Sequence, residues 1–154
     1  MIYTERPKYR GYLKLLILHL LEEKPLHGYG IMTELEKRYE IPSPSAGAIY
    51  PLLSSLKRKN FIEVVETEKR EKKLYKITEK GKSYLNEHQN ELRDALEKVE
   101  RFREFSRLGG GELFKTIKEV MESLPSLSAS QKAEISKEIE NFTKRIKLIL
   151  IGGR

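Results

Sequence analysis

Cysteine is missing from all 154 residues of this chain, so disulfides, zinc–thiolate sites and thiol nucleophiles are ruled out at the start. No apolar run comes near the ~18 residues that a membrane-spanning helix needs. The opening residues MIYTERPKYR lack the apolar core of a secretory signal, which makes a cytoplasmic location the expectation. Histidine is scarce: His19, His27 and His88 are dispersed, and His88 shares a helix face only with Glu91. That is too little to hold a metal. No serine stands in a nucleophile elbow, and no carboxylate pair marks a cleft. Residues 109–111 (GGG) precede a helix as a phosphate loop would, but no strand comes before them and no GK[ST] follows. They read as a hinge. The expectation is a protein that is not an enzyme and uses neither cofactor nor metal.

What the chain does have is positive charge, unevenly spread. Its net charge is +7 and its isoelectric point about 9.5, a balance that favours a polyanionic partner. Residues 1–86 hold 17 Lys and Arg against 11 Asp and Glu, whereas residues 87–154 hold 13 against 12. The length suits one domain, or a small domain with an appendage.

The basic part contains the most informative stretch, residues 43–60 (SPSAGAIYPLLSSLKRKN). Ser43 is a good N-cap and Pro44 suits the first helical position. Ile49, Leu52, Leu53 and Leu56 follow at helical spacing. Gly47, Pro51, Ser54 and Arg58 fall on the opposite face, and Lys57, Arg58 and Lys59 run together at its end. A surface helix usually carries long charged side chains outward. Here they are cleared away, as a backbone requires when it must approach something closely, and the major groove of DNA is the first candidate.

The rest of the chain supports that reading by its order. Residues 1–9 read as a mobile basic arm. Residues 11–23 (GYLKLLILHLLEE) form a helix so apolar that it should be covered on two sides, with His19 a packed boundary residue. After the breaker KPLHG comes a second helix, residues 29–39, with Ile31, Met32, Leu35 and Tyr39 as its apolar positions. Residues 61–67 and 73–78 alternate as strands, joined by the charged tip EKREK. Three helices followed by a charged hairpin give the order of a winged helix-turn-helix, a mainly α fold with a two-stranded wing.

Thr78 then caps a long helix expected to reach residue 108, with Leu85, Leu92 and Val99 recurring every seven residues beside Leu96 and Phe102. A helix over residues 112–124 and a last one from residue 130 complete the chain. In the last, Ile135, Ile139, Phe142, Ile146 and Ile149 keep to one stripe. The division expected is a winged-helix DNA-binding domain at 1–86 and a helical dimerisation region at 87–154. The dimer contacts should come from Leu85, Leu92, Leu96, Val99, Phe102, Ile135, Ile139, Phe142 and Ile146.

Any single amphipathic helix is ordinarily just a packed helix, and a charged hairpin tip is ordinarily just solvated. The combination carries the argument. Residues 25–31 (PLHGYGI), 47–56 (GAIYPLLSSL), 61–63 (FIE) and 74–85 (LYKITEKGKSYL) together make the chain resemble the PadR family of transcriptional regulators over roughly residues 11–86. The resemblance implies a homodimeric winged-helix repressor on a near-palindromic double-stranded operator, released by a small-molecule effector whose identity is open. It places Tyr29 and Tyr50 near the DNA backbone. Asn60 stands where the family usually has glycine, and it tolerates the same left-handed turn. Gly30 stands where the family often has glutamate, so one helix-capping carboxylate is missing.

On this reading Ser43, Ser45, Ala46 and Gly47 approach base edges. Tyr29, Tyr50, Ser54, Lys57 and Arg58 hold the backbone, and Lys69, Arg70, Lys72 and Lys73 form the wing contact. Phe102, Phe105, Phe114 and Phe142 could line an effector pocket or serve as plain core. The alternative is a winged-helix module that binds protein without sequence-specific DNA binding. It would need neither the smooth helix face nor the basic wing.

Overall fold

The computed structural model describes residues 6–39, 46–65 and 73–152. They fall into two compact units, Met1–Arg107 and Leu108–Arg154. The first contains α1 (Arg6–Glu23), β1 (Leu26–His27), α2 (Gly28–Tyr39), α3 (Ala46–Arg58), β2 (Ile62–Val65), β3 (Leu74–Ile77), α4 (Glu79–Glu87) and α5 (Gln89–Phe105). This is the winged helix, with one more strand than the sequence suggests. β1 is only two residues long and adds to the wing, giving an antiparallel sheet in the order β1-β3-β2. Tyr75 of the central strand pairs with Leu26 on one side and Val64 on the other.

The core is built on α1. Leu13, Leu15, Leu16, Ile17, Leu18, Leu20 and Leu21 are all buried, so this helix is covered over most of its circumference, more than the two sides expected, with Tyr12 and His19 half-exposed on the remaining side. It begins at Arg6, inside the stretch expected to be an arm; residues 1–5 lie outside the described residues. α2, β3, α4 and α5 pack against it. His19 stays half-exposed beside Glu22. Pro25 prevents the helix from continuing, and Arg38 of α2 clamps its end. The guanidinium donates to both oxygens of Glu23 at 2.7 Å and to Glu34 at 2.8 Å. This contact holds the Glu23 carboxyl below the usual carboxylate range.

α3 buries Ile49, Leu53 and Leu56 and ends in a left-handed turn at Asn60, φ 60°. The Phe61 amide donates to the Leu56 carbonyl and the Asn60 amide to the Lys57 carbonyl, both at 3.0 Å. Those two bonds, with Phe61 and Leu56 both buried, make a Schellman cap. Thr78 ties this cap to the next helix. Its hydroxyl donates to the Asn60 carbonyl (2.6 Å) and accepts from the Gly81 amide (3.0 Å), while its own amide donates to the Phe61 carbonyl. A Cβ at Gly81 would strike the Phe61 carbonyl oxygen and the Ile77 side chain.

The long helix expected over residues 78–108 is two helices. At His88 (φ −110°, ψ 30°) the backbone leaves helical geometry, its amide is shared between the Tyr84 and Leu85 carbonyls, and side-chain donors compete for the same acceptors. His88 Nδ1 donates to the Tyr84 carbonyl at 2.7 Å and Gln89 Nε2 to the Leu85 carbonyl at 3.1 Å. The seven-residue repeat of Leu85, Leu92 and Val99 therefore crosses a break and is not a continuous seam. Leu85 and Leu92 are buried in the chain's own core, and Leu96 and Val99 pack against it.

α5 stops at Phe105. Residues 106–110 make a kinked π-helical turn with Gly109 at φ 101°, so the glycine run is a break, as its composition predicts. The second unit holds α6 (Gly111–Ser123), a 3-10 turn (Leu124–Ser126) and α7 (Ala129–Gly152). Ser128 and Gln131 exchange side-chain and backbone bonds at 2.9 and 3.1 Å, a capping box that starts α7. No described residue of α6 or α7 is buried. No helix among the described residues is long and apolar enough to cross a membrane.

The Thr78 junction yields a stability test. Gly81→Ala should lower stability by roughly 1–3 kcal/mol through overpacking, and Thr78→Ala by ~1 kcal/mol through the lost cap. Asn60→Gly should be tolerated, whereas Asn60→Val should cost ~1–2 kcal/mol because a β-branched residue resists a positive φ. Chemical denaturation of the four variants checks the order.

Candidate nucleic-acid interface

The amphipathic pattern of α3 sorts its residues cleanly. Ala46, Gly47, Tyr50, Pro51, Ser54, Lys57 and Arg58 are exposed, on the face opposite Ile49, Leu53 and Leu56. Pro51 has no N–H to give the Gly47 carbonyl, so backbone as well as small side chains is open on this face. Ser43, Ser45, Lys69, Arg70 and Lys72 lie outside the described residues.

The fold brings three further elements to the same side. Tyr29, on the first turn of α2, is 75% exposed. The Tyr50 ring crosses to α2 and packs on Gly28, where an added Cβ would lie 2.9 Å from the phenol oxygen. A side chain at this position would have to push the ring aside. Lys73, at the root of the wing, is exposed, and its carbonyl accepts from His27 Nδ1 at 3.2 Å, which ties the wing to β1.

Two clefts join these residues. One, of about 630 Å³, runs from the start of α2 past Tyr50 to Lys73. The other, of about 380 Å³, lies between α3 and the wing and is lined by Ser54, Lys57, Arg58, Asn60 and Lys73. Both reach Tyr75, and among the described residues no carboxylate lines either. Burial pushes the Tyr75 phenol above its ordinary range, with the nearby Tyr50 phenol adding to the shift. The arrangement is a strip of hydroxyls, amides and cations, suited to a polyanion.

Tyr29, Ala46, Gly47, Tyr50, Ser54, Lys57, Arg58 and Lys73, all singled out from the sequence, are therefore exposed in one unit, and most of them line the joined clefts. Sequence reasoning missed His27, Asn60 as a lining residue, and Tyr75. Alternation along β3 identifies Tyr75 only as inward-facing; the clefts depend on which strands flank it.

Of the residues expected at a dimer interface, Leu85 and Leu92 are internal, and Leu96, Val99 and Phe102 are half-buried in the first unit. Ile135 is half-buried, while Ile139, Phe142 and Ile146 are exposed on α7. Phe102 and Phe105 belong to the first unit, Phe114 and Phe142 to the second.

Residues 17–87 match the model of the Transcriptional regulator PadR-like family. An uncharacterized protein X of Lysinibacillus sphaericus is 31% identical over 102 residues, covering 62% of this chain and 91% of that protein. The chain belongs to the PadR-like family. This is a family of transcriptional regulators, not of enzymes. Transcriptional regulator YqjI of Escherichia coli (strain K12) is 31% identical over 90 residues, 58% of this chain. The chain spans 43% of that regulator's length. Among solved structures, a PadR-like transcriptional regulator of Bacillus cereus strain ATCC 14579 superposes with a TM-score of 0.50 at 28% identity, covering 62% of this chain and 95% of that one. A transcriptional regulator of Clostridium thermocellum shares the fold (TM-score 0.53, 24% identity, 63% and 95% covered).

Proposed function

We propose that this PadR-like protein acts in the cytoplasm as a homodimeric repressor that binds a near-palindromic DNA operator. The observation that carries the reading is the strip of hydroxyls and cations across α3, the start of α2 and the root of the wing, lined among the described residues by no carboxylate. Ala46 and Gly47 let the α3 backbone into the major groove, with Ser43 and Ser45 beside them in sequence. Tyr29, Tyr50, Ser54, Lys57 and Arg58 meet the backbone, and Lys69, Arg70, Lys72 and Lys73 supply the wing contact. Serine and alanine read bases permissively, so specificity comes largely from the pairing of two half-sites about one turn, roughly 34 Å, apart.

The second unit supports the dimer. Ile139 is 58% exposed, Phe142 44%, and Phe114 and Met121 are similarly open. Helices that fully bury none of their described apolar residues gain by pairing with a second copy, and a twofold pair is the commonest closed arrangement. Release by a small effector follows from the family resemblance and from the half-buried or exposed phenylalanines of both units. Its chemistry is left open.

Titration of labelled duplex across a salt series tests DNA binding. If each subunit neutralises about four phosphates, log K falls with log salt at a slope near −7. Replacing Lys69, Arg70, Lys72 and Lys73 by alanine should flatten that slope and weaken random and selected DNA alike. A salt-independent affinity would remove the reading.

Light scattering tests the pairing. The full chain should be a dimer, and the double variant Ile139→Asp, Phe142→Asp a monomer with unchanged helical content. Its affinity for a two-half-site duplex should fall by about 10²-fold or more as the effective concentration of the second subunit is lost. A monomeric parent chain would sink the dimer.

A further inference from the structure

Tyr75 stands apart from the rest of the strip. It is 7% exposed, held in the central strand between Leu26 and Val64, and it lines both clefts. Buried phenols ordinarily find a hydrogen-bond partner. No described residue hydrogen-bonds the Tyr75 hydroxyl, and it is not sealed off from solvent, so it offers a free donor at the floor of the larger cleft. The mouth of that cleft is the first turn of α2, formed by Gly28, Tyr29 and Gly30. The amides there have no intrahelical acceptor and carry partial positive charge, and no acidic residue of the first turn neutralises them. Tyr50 stands on the bare Cα of Gly28, and Lys73 closes the far side.

We propose that this cleft seats one phosphodiester group of the DNA backbone, with Tyr75 as a positioning residue that donates to it from the floor. The inference rests on the DNA-binding reading above. The Tyr50 hydroxyl and the Lys73 ammonium hold the sides of the phosphate, and the α2 amides face its charge. A hydrogen bond from a hydroxyl to an anion is stronger than one between neutral groups. Because β3 is the central strand, Tyr75 cannot retreat, so the bound phosphate sets how deeply α3 enters the groove. A contact of this kind fixes register without reading sequence.

The test uses the full chain as wild type, Tyr75→Phe and Lys73→Gln, titrated with a short random-sequence duplex and with a duplex recovered by selection. Tyr75→Phe keeps the ring and its packing, so the thermal midpoint should hold. Affinity for both duplexes should fall about tenfold for each half-site, with the salt slope unchanged because no cation is removed. Lys73→Gln should instead lower the slope by about one for each subunit. Inorganic phosphate should shift the amide resonances of Gly28, Tyr29 and Gly30 in wild type and shift them less in Tyr75→Phe. If wild type binds DNA and Tyr75→Phe binds it equally well, the phosphate seat is overturned while the DNA reading stands. If wild type binds neither duplex, the DNA reading fails; unmoved α2 amides in phosphate would then overturn the seat as well.

Discussion

Burial of the leucine-rich middle of α1 is the constraint on which the rest of the first unit depends. Leu15, Leu16, Ile17, Leu18, Leu20 and Leu21 present apolar surface around most of the circumference of the helix, and each such side chain gains roughly 1.5–3 kcal/mol on leaving water. No single neighbour can cover all of it. α2, α4, α5 and β3 must therefore converge on one post, and that convergence sets where the functional face can be. The Arg38 fork onto Glu23 and Glu34 is solvent-exposed and adds direction more than stability.

The side proposed to face DNA is defined by what that core anchors. α3 sinks Ile49, Leu53 and Leu56 inward, which leaves its small residues outward without further provision. Its far end is fastened by the Schellman cap and by Thr78, and its near end by the Tyr50 ring lying on Gly28. A helix fixed at both ends can present backbone and short side chains at a defined height. The same contacts bring cations from α3 and the wing within reach of one strip, so small residues and positive charge serve a single surface.

The second unit follows the opposite rule. α6 and α7 have strong local helix signals, including the Ser128–Gln131 capping box, yet bury none of their described residues. Leu148, Ile149, Leu150 and Ile151 are all exposed at the end of α7. Such helices are stable as secondary structure but incomplete as a core, a condition that association relieves.

Local chemistry made much of this protein legible in one dimension. The apolar period of α3, the turn at Asn60, the cap at Thr78 and the glycine break near residue 109 each depend on neighbours within a few residues, and each stands in the structure where the sequence places it. β1 did not announce itself, because two residues between helices become a strand only when β3 lies alongside to accept their hydrogen bonds. The break at His88 was hidden for a related reason: side-chain donors compete with the backbone at one turn inside an otherwise good helical pattern. The repeat of Leu85, Leu92 and Val99 shows best why sequence stops short. Apolar period reveals that a face must leave water, but the chain's own core and a second copy satisfy that demand equally. Only the packing of α4 and α5 onto α1 decided for Leu85 and Leu92. In the same way alternation turned Tyr75 inward, while the strands and helices around it decided that its hydroxyl would face a basic cleft, because burial depends on local pattern and hydrogen-bond partners on distant segments.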